Sequence, residues 1–201
     1  MKIRILFYVI GLFLIGFGVT LTIKADLGAG AWDALNVGLS NAFGLTVGSW
    51  VIIIGIILMF LNAFIVKGRP KFFSLITILF IGFSVDFWLM FLLKNVEFDL
   101  FLHQVLSLIG GILTLAVGVA MYLQTHFAVN PIDQLMISLN ERFRLSYMTA
   151  KTIGELSALI LAFALQGPIG IGTLIITFFI GPIIELINKP MTKRYEILIK
   201  R

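Results

Sequence analysis

Apolar runs at 5–24, 47–66, 72–93, 104–124, 147–166 and 169–188 dominate this chain. Each is long enough to cross a hydrocarbon layer of ~30 Å at about 1.5 Å per residue. Inside lipid every backbone N–H and C=O must find its partner within the protein, so runs of this kind can only be helices. With 60% of 201 residues hydrophobic and 12% charged, and a mean hydropathy of +1.08, too little polar surface exists to cover a water-soluble core. The expected class is an all-α polytopic membrane protein of about six transmembrane helices, a single membrane domain over 1–201.

The charges fall between the runs. A net charge of +5 could suit nucleic acid, but its distribution in short interhelical clusters suits loops that meet anionic lipid. If the N-terminus lies in the cytoplasm, Lys2, Arg4, Lys67, Arg69, Lys71, Arg142, Arg144, Lys151, Lys189, Lys193, Arg194, Lys200 and Arg201 face inward. Only Lys24 and Lys94 are then outside, and both termini are expected to be cytoplasmic. Lys2, Arg4, the run 5–23 and Ala29-Gly30-Ala31 resemble a secretory signal. The length of that run and its recurrence later in the chain argue that it is kept. Cysteine is absent, which removes disulfides, thiolate metal sites and cysteine nucleophiles.

That recurrence is the second constraint. Shifted by one hundred positions, Gly18-Val19 falls on Gly118-Val119, Asp33 on Asp133, Leu35 on Leu135, Leu39 on Leu139, Phe43 on Phe143 and Leu45 on Leu145. With a one-residue adjustment Gly68 meets Gly167, Ser74 meets Thr173, Phe80-Ile81-Gly82 meets Phe179-Ile180-Gly181 and Asp86 meets Glu185. Apolar matches come cheaply, whereas glycines and acids in register do not. The chain therefore reads as two repeats, 1–99 and 100–201. Three spans per repeat is an odd number, so the second copy is expected to run inverted, as in many secondary transporters.

Within each repeat a segment too polar to span follows the first run, at 26–44 and 126–145. Trp32, Leu35, Leu39 and Phe43 share one helical face while Asp33, Asn36 and Ser40 share another. Ile132, Leu135, Met136, Leu139 and Phe143 likewise oppose Asp133, Gln134, Asn140 and Glu141. Helix starts are marked by Gly30 and by Asn130 before Pro131. Such short amphipathic helices either lie in the interface or re-enter the protein, where other chain segments or water must satisfy the backbone.

The run 28–35, Gly-Ala-Gly-Ala-Trp-Asp-Ala-Leu, followed by Gly38-Leu39-Ser40 and Gly44-Leu45-Thr46-Val47-Gly48, resembles the start of the YczE/YyaS/YitT family of bacterial membrane proteins. Gly170-Ile171-Gly172-Thr173 resembles its late glycine-rich element, and the likeness covers nearly the whole chain. A related branch carries a soluble C-terminal domain, so a chain ending at Arg201 is similar to the short, membrane-only branch. The resemblance implies a multi-pass protein of the bacterial plasma (inner) membrane. It implies no substrate and no catalytic residues.

Asp33 and Asp133 are the first candidate site residues. A carboxylate at bilayer depth costs roughly 2.5–3.5 kcal/mol on insertion scales and so faces a partner or water. They could form a matched pair that binds a cation, a proton or a polar solute. As third residues of their helices they could instead simply stabilise the helix dipole. Trp32, Asn36, Asn130 and Gln134 join them as candidate binding residues, although Trp32 could equally be an interfacial anchor.

Asp86, deepest of the acids within a run, and Glu155 are candidate coupling groups. Lys24, His126 or Lys151 would be structural partners for Asp86, and Lys151 is spaced i,i+4 from Glu155. Gly44 and Gly48 would allow close helix contact, and Gly82 and Gly181-Pro182 would kink their helices. No nucleophile elbow, phosphate loop or His-Glu-x-x-His pattern is found in the sequence. No enzyme, metal or cofactor is expected. The expected function is an inner-membrane transporter or permease whose partners are lipid, a small polar or ionic solute and, as a further candidate, a second copy of the chain. The alternative is a non-transporting membrane protein that anchors or assists another, using the basic tail 189–201 and the loop 140–151.

Overall fold

A computed structural model describes residues 1–199; Lys200 and Arg201, counted above among the basic residues, lie outside the described residues. Eight α-helices follow one another: α1 (Lys2–Lys24), α2 (Ala31–Phe43), α3 (Val47–Ile65), α4 (Ser74–Phe87, prolonged by a π turn Trp88–Leu92), α5 (Phe101–Gln124), α6 (Pro131–Phe143), α7 (Tyr147–Ala164) and α8 (Ile171–Ile199). No strand occurs among the described residues. Five of these segments are long and apolar enough to cross a membrane: α1, α3, Ser74–Leu92, α5 and α8. The expected sixth, α7, is 18 residues long and carries Lys151 and Glu155, which holds its hydropathy below that of the others.

The order long, short, long, long is repeated, with α2 and α6 both 13 residues long and starting one hundred positions apart. The start signals operate as the sequence suggests. Gly30 is the N-cap of α2, while the Asn130 side chain accepts a hydrogen bond from Ile132 N (3.2 Å), with Pro131 in the first helical position. Left-handed backbone also recurs at matched places, Asp26 with His126, Gly44 with Arg144, and Lys67 with Gln166.

Other local expectations are revised. Helix α8 runs unbroken through Pro182 and Pro190, so the described part of the basic tail, 189–199, extends this helix. Tyr195 folds back onto the Phe7 ring (5.0 Å between centroids). Gly82 does not interrupt α4, and its value lies in bringing α4 close to α3. A Cβ on Gly82 would stand 2.6 Å from Gly48 O. Gly44, by contrast, ends α2 with φ +74, and a Cβ built there would meet open space.

Helix α1 runs antiparallel to α5, and glycines form their seam. A Cβ on Gly11 would meet Gly118 O at 2.8 Å and one on Gly118 would meet Gly11 O at 2.7 Å. Gly18 and Gly111 exchange the same contact at 2.8 and 2.9 Å. Lipid tails are as apolar as leucine, so helices in lipid associate by close packing, and small residues let the backbones approach. Helix α4 packs on the same stretch of α1, with Ser84 Oγ donating to Phe13 O (3.0 Å). Helix α8 flanks α5. A second glycine interlock joins the halves: Gly172 N donates to Leu27 O (2.7 Å) and Ala29 N to Pro168 O (3.0 Å). Gly28, at φ +102, presses against Gly170. Thus the early and late glycine-rich elements of the sequence touch each other.

Gly18→Ala or Gly111→Ala should therefore lower the melting temperature of the purified protein, at a cost of about 1–3 kcal/mol for the forced separation. Gly110→Ala, where a Cβ meets open space, should be neutral or stabilise by up to ~1 kcal/mol through helix propensity. Equal melting temperatures for the three variants would refute the seam.

Candidate functional site

Neither short helix can cross a bilayer, and their first turns meet on one cavity of about 200 Å³ that carries a cluster of polar side chains on a largely apolar wall. From α2 it takes Trp32, Asp33 and Asn36, and from the α6 entry Asn130, Ile132 and Asp133. Tyr122 of α5, Lys151 and Glu155 of α7, and Thr177 of α8 complete the polar lining, while the larger, apolar part of the wall comes from α1, α3, α4, α5 and α8. The amphipathic pattern explains the placement. Ala34 and Leu35 are buried against Ala158 and Ala162 of α7, which turns the Asp33 and Asn36 face toward the cavity.

Tyr122 Oη donates to Asp133 Oδ2 at 2.6 Å, so this carboxylate is held in place. Asp33 sits over the start of its own helix, and a Cβ built on Gly30 would stand 3.0 Å from its Oδ2. Asn36 is 3% exposed, and its Oδ1 has no hydrogen-bond partner among the described residues. Among those residues one ion pair occurs, Lys189 with Glu185 at 3.9 Å. Lys151 and Glu155 thus line the cavity without closing the i,i+4 pair that their spacing allows. Three carboxylates and one ammonium border a volume that would hold roughly six or seven waters.

Five of the six candidate binding residues, Trp32, Asp33, Asn36, Asn130 and Asp133, lie together on this cavity, and the candidate coupling residue Glu155 joins them. Gln134 points elsewhere. It is buried, accepts from Lys71 Nζ (2.9 Å) and lines a separate 440 Å³ cavity beside Asn62. Asp86 is also remote, and none of Lys24, His126 and Lys151 is its hydrogen-bond partner. Its Oδ1 accepts from Gly48 N at 2.8 Å and its Oδ2 from Thr46 Oγ1, so it caps the start of α3. Tyr122 was overlooked in the sequence. The available signal was a polar-tipped aromatic in an otherwise aliphatic run, but its partner Asp133 is settled only by the chain turning back after α5. A second, wider cleft of about 650 Å³ between α7 and α8 shares Ala31, Lys151, Glu155 and Thr177 with the central cavity.

An all-helical bundle with five membrane-length apolar helices defines a multi-pass membrane protein. The family assignment is direct: residues 2–189 match the family of unknown function DUF6198, and the chain belongs to it. It is similar to the uncharacterized protein YyaS of Bacillus subtilis (strain 168), at 34% identity over 192 residues, covering 96% of this chain and 95% of that one. The uncharacterized membrane protein YczE of the same organism is 31% identical over 201 residues, covering 96% and 92%. An uncharacterized protein of Haemophilus influenzae is 28% identical over 175 residues, covering 86% and 77%. No solved structure matches.

Tyr122→Phe should leave Asp133 without its donor and lower stability by about 1.5–3 kcal/mol, the range for a hydrogen bond to a charged group. Asp133→Asn in the Tyr122→Phe background should cost less than Asp133→Asn alone. A double-mutant cycle on melting temperature measures this coupling, and strict additivity would show that the two side chains act independently.

Proposed function

We propose that this protein is a transporter of a small, positively charged solute rich in hydrogen-bond donors, which it binds in the central cavity. The carrying observation is the convergence of two matched first turns on one cavity whose acceptors outnumber its donors. Asp33 and Glu155 would receive the solute's N–H groups. The Trp32 ring would offer a face to its charge, and Tyr122 would hold Asp133. In this reading the helix N-termini, which favour negative charge, are already answered by Asp33 and Asp133, each the third residue of its helix.

In the same reading α7 is the sixth span, and the halves are inverted repeats with both termini in the bacterial cytoplasm. The antiparallel α1 and α5 support it, because Gly11 meets Gly118 while Gly18 meets Gly111. This crossed exchange between positions one hundred apart is the contact pattern of a two-fold axis. Transporters of this kind bind solutes between their repeats near midplane, at interrupted or short helices. Glu155, on the cavity and close to the α7–α8 cleft, is the proposed coupling carboxylate. The alternative of a protein that anchors or assists another has its support in the exposed basic residues Lys189, Lys193 and Arg194 of α8.

Methylammonium is a suitable probe because it is small, cationic and a hydrogen-bond donor. Proteoliposomes holding the wild type should accumulate it well above empty liposomes. Asp33→Asn and Glu155→Gln should each reduce the rate by about tenfold or more, as expected for losing one charge-assisted contact. Removal of residues 189–201 should leave most of it. Uptake no faster than in empty liposomes would reject the cation reading. Normal uptake by the double variant Asp33→Asn, Asp133→Asn would reject the cavity as its site.

A further inference from the structure

The two halves agree closely except at one interface. In the first half α3 and α4 lie in contact, with Gly48 against Gly82 and the Asp86 carboxylate closed over the start of α3. The corresponding α7 and α8 stand apart across the 650 Å³ cleft. A Cβ on Gly181, the counterpart of Gly82, would meet nothing nearer than Lys151 Nζ at 3.4 Å.

The latch on α3 has three members, and two are present on α7. Thr46 caps α3, its hydroxyl accepting from Ser49 N at 3.1 Å and lying 2.6 Å from Ser49 Oγ. Ser146 caps α7 in the same way, accepting from Thr149 N at 3.1 Å and lying 2.8 Å from Thr149 Oγ1. The third member on α3 is Asp86. Its counterpart Glu185 is 77% exposed and reaches only Lys189, one turn away. At position 148 a methionine, exposed at the cleft, stands where the first half has Gly48. Glutamate is longer than aspartate by the one methylene that would help to span that gap.

We propose that the protein alternates between two states, and that Glu185 is the latch of the state not seen here. In that state α7 and α8 close, and Glu185 accepts from Met148 N–H and Ser146 Oγ–H. Asp86 meanwhile releases α3, and the α3–α4 face opens. The α7–α8 cleft shares Lys151 and Glu155 with the central cavity, so this closure seals one approach to the cavity while the opposite face opens another. Rigid elements moving about a fixed site account for the change, and two interchangeable latches make it bistable rather than gradual. The inference rests on the correspondence between the halves and not on which solute is carried.

The chain has no cysteine, so spin labels can be placed in pairs on the full-length protein in lipid nanodiscs without solute. Met148→Cys with Leu186→Cys reports the α7–α8 distance, and Leu45→Cys with Phe87→Cys the α3–α4 distance; all four side chains are exposed. Pulsed electron resonance should find a long and a short population for the first pair. Glu185→Gln, at an exposed position that packing does not need, should abolish the short one. Asp86→Asn should raise the short α7–α8 population by about tenfold, the weight of one charge-assisted hydrogen bond, and lengthen the α3–α4 distance in step. A single α7–α8 distance unmoved by either variant, or a short population that survives Glu185→Gln, would overturn the latch. Because no solute is present, failed methylammonium uptake would leave this result standing, and a failed latch would leave the cavity reading intact.

Discussion

The glycine seam between α1 and α5 is the contact on which the rest of the molecule depends. Apolar surface gains nothing by leaving lipid for protein, so two apolar helices stay together only where their backbones come close enough for dense packing. Gly11, Gly18, Gly111 and Gly118 allow that approach, and their spacing of seven residues repeats it after two turns. The antiparallel pair so formed is the axle of the fold, with α4 set against α1 and α8 against α5. The short helices fill the remaining space. Any side chain at these glycines would push apart the two elements against which the others are placed.

The cavity follows from a limit on backbone length. Helices of 13 residues cannot reach across the bilayer, so they must end inside protein or at a surface, with unpaired N–H groups in their first turns. Here those turns face each other, and Asp33 and Asp133 answer the exposed dipoles. Each acid lies in the first turn of its helix and on the cavity, and Asp133 is held there by Tyr122.

The halves share a plan but not a state. Asp86 and Glu185 hold matched positions, yet one closes on the helix start opposite and the other faces solvent. A bundle in which both interfaces were equally tight would have no route into its centre. A bundle with both open would leave its polar lining joined to both faces. Asymmetry between two nearly equivalent interfaces is the arrangement that avoids both outcomes.

Much of this was legible in one dimension. Span positions follow from hydropathy, because lipid permits only helices there. The short helices and their starts follow from amphipathic spacing and from Gly30 and Asn130-Pro131. The register of Asp33 with Asp133 corresponds to matched places, each in the first turn of a 13-residue helix. What the sequence could not decide was which neighbours meet across space. Asp133 and Gln134 are adjacent in the chain, yet a 100° turn of the helix sends one to the central cavity and the other to Lys71. Asp86 finds its donors some forty residues away at the start of α3, a partner that no local pattern names. Gly181-Pro182 reads as a kink or break, but α8 passes through it. The sequence by itself determined that the chain is helical and membrane-bound, because those properties depend on the solvent and on local periodicity. Only tertiary structure decided which polar groups share a cavity and which interface stands open, because those depend on how the helices are rotated and packed against one another.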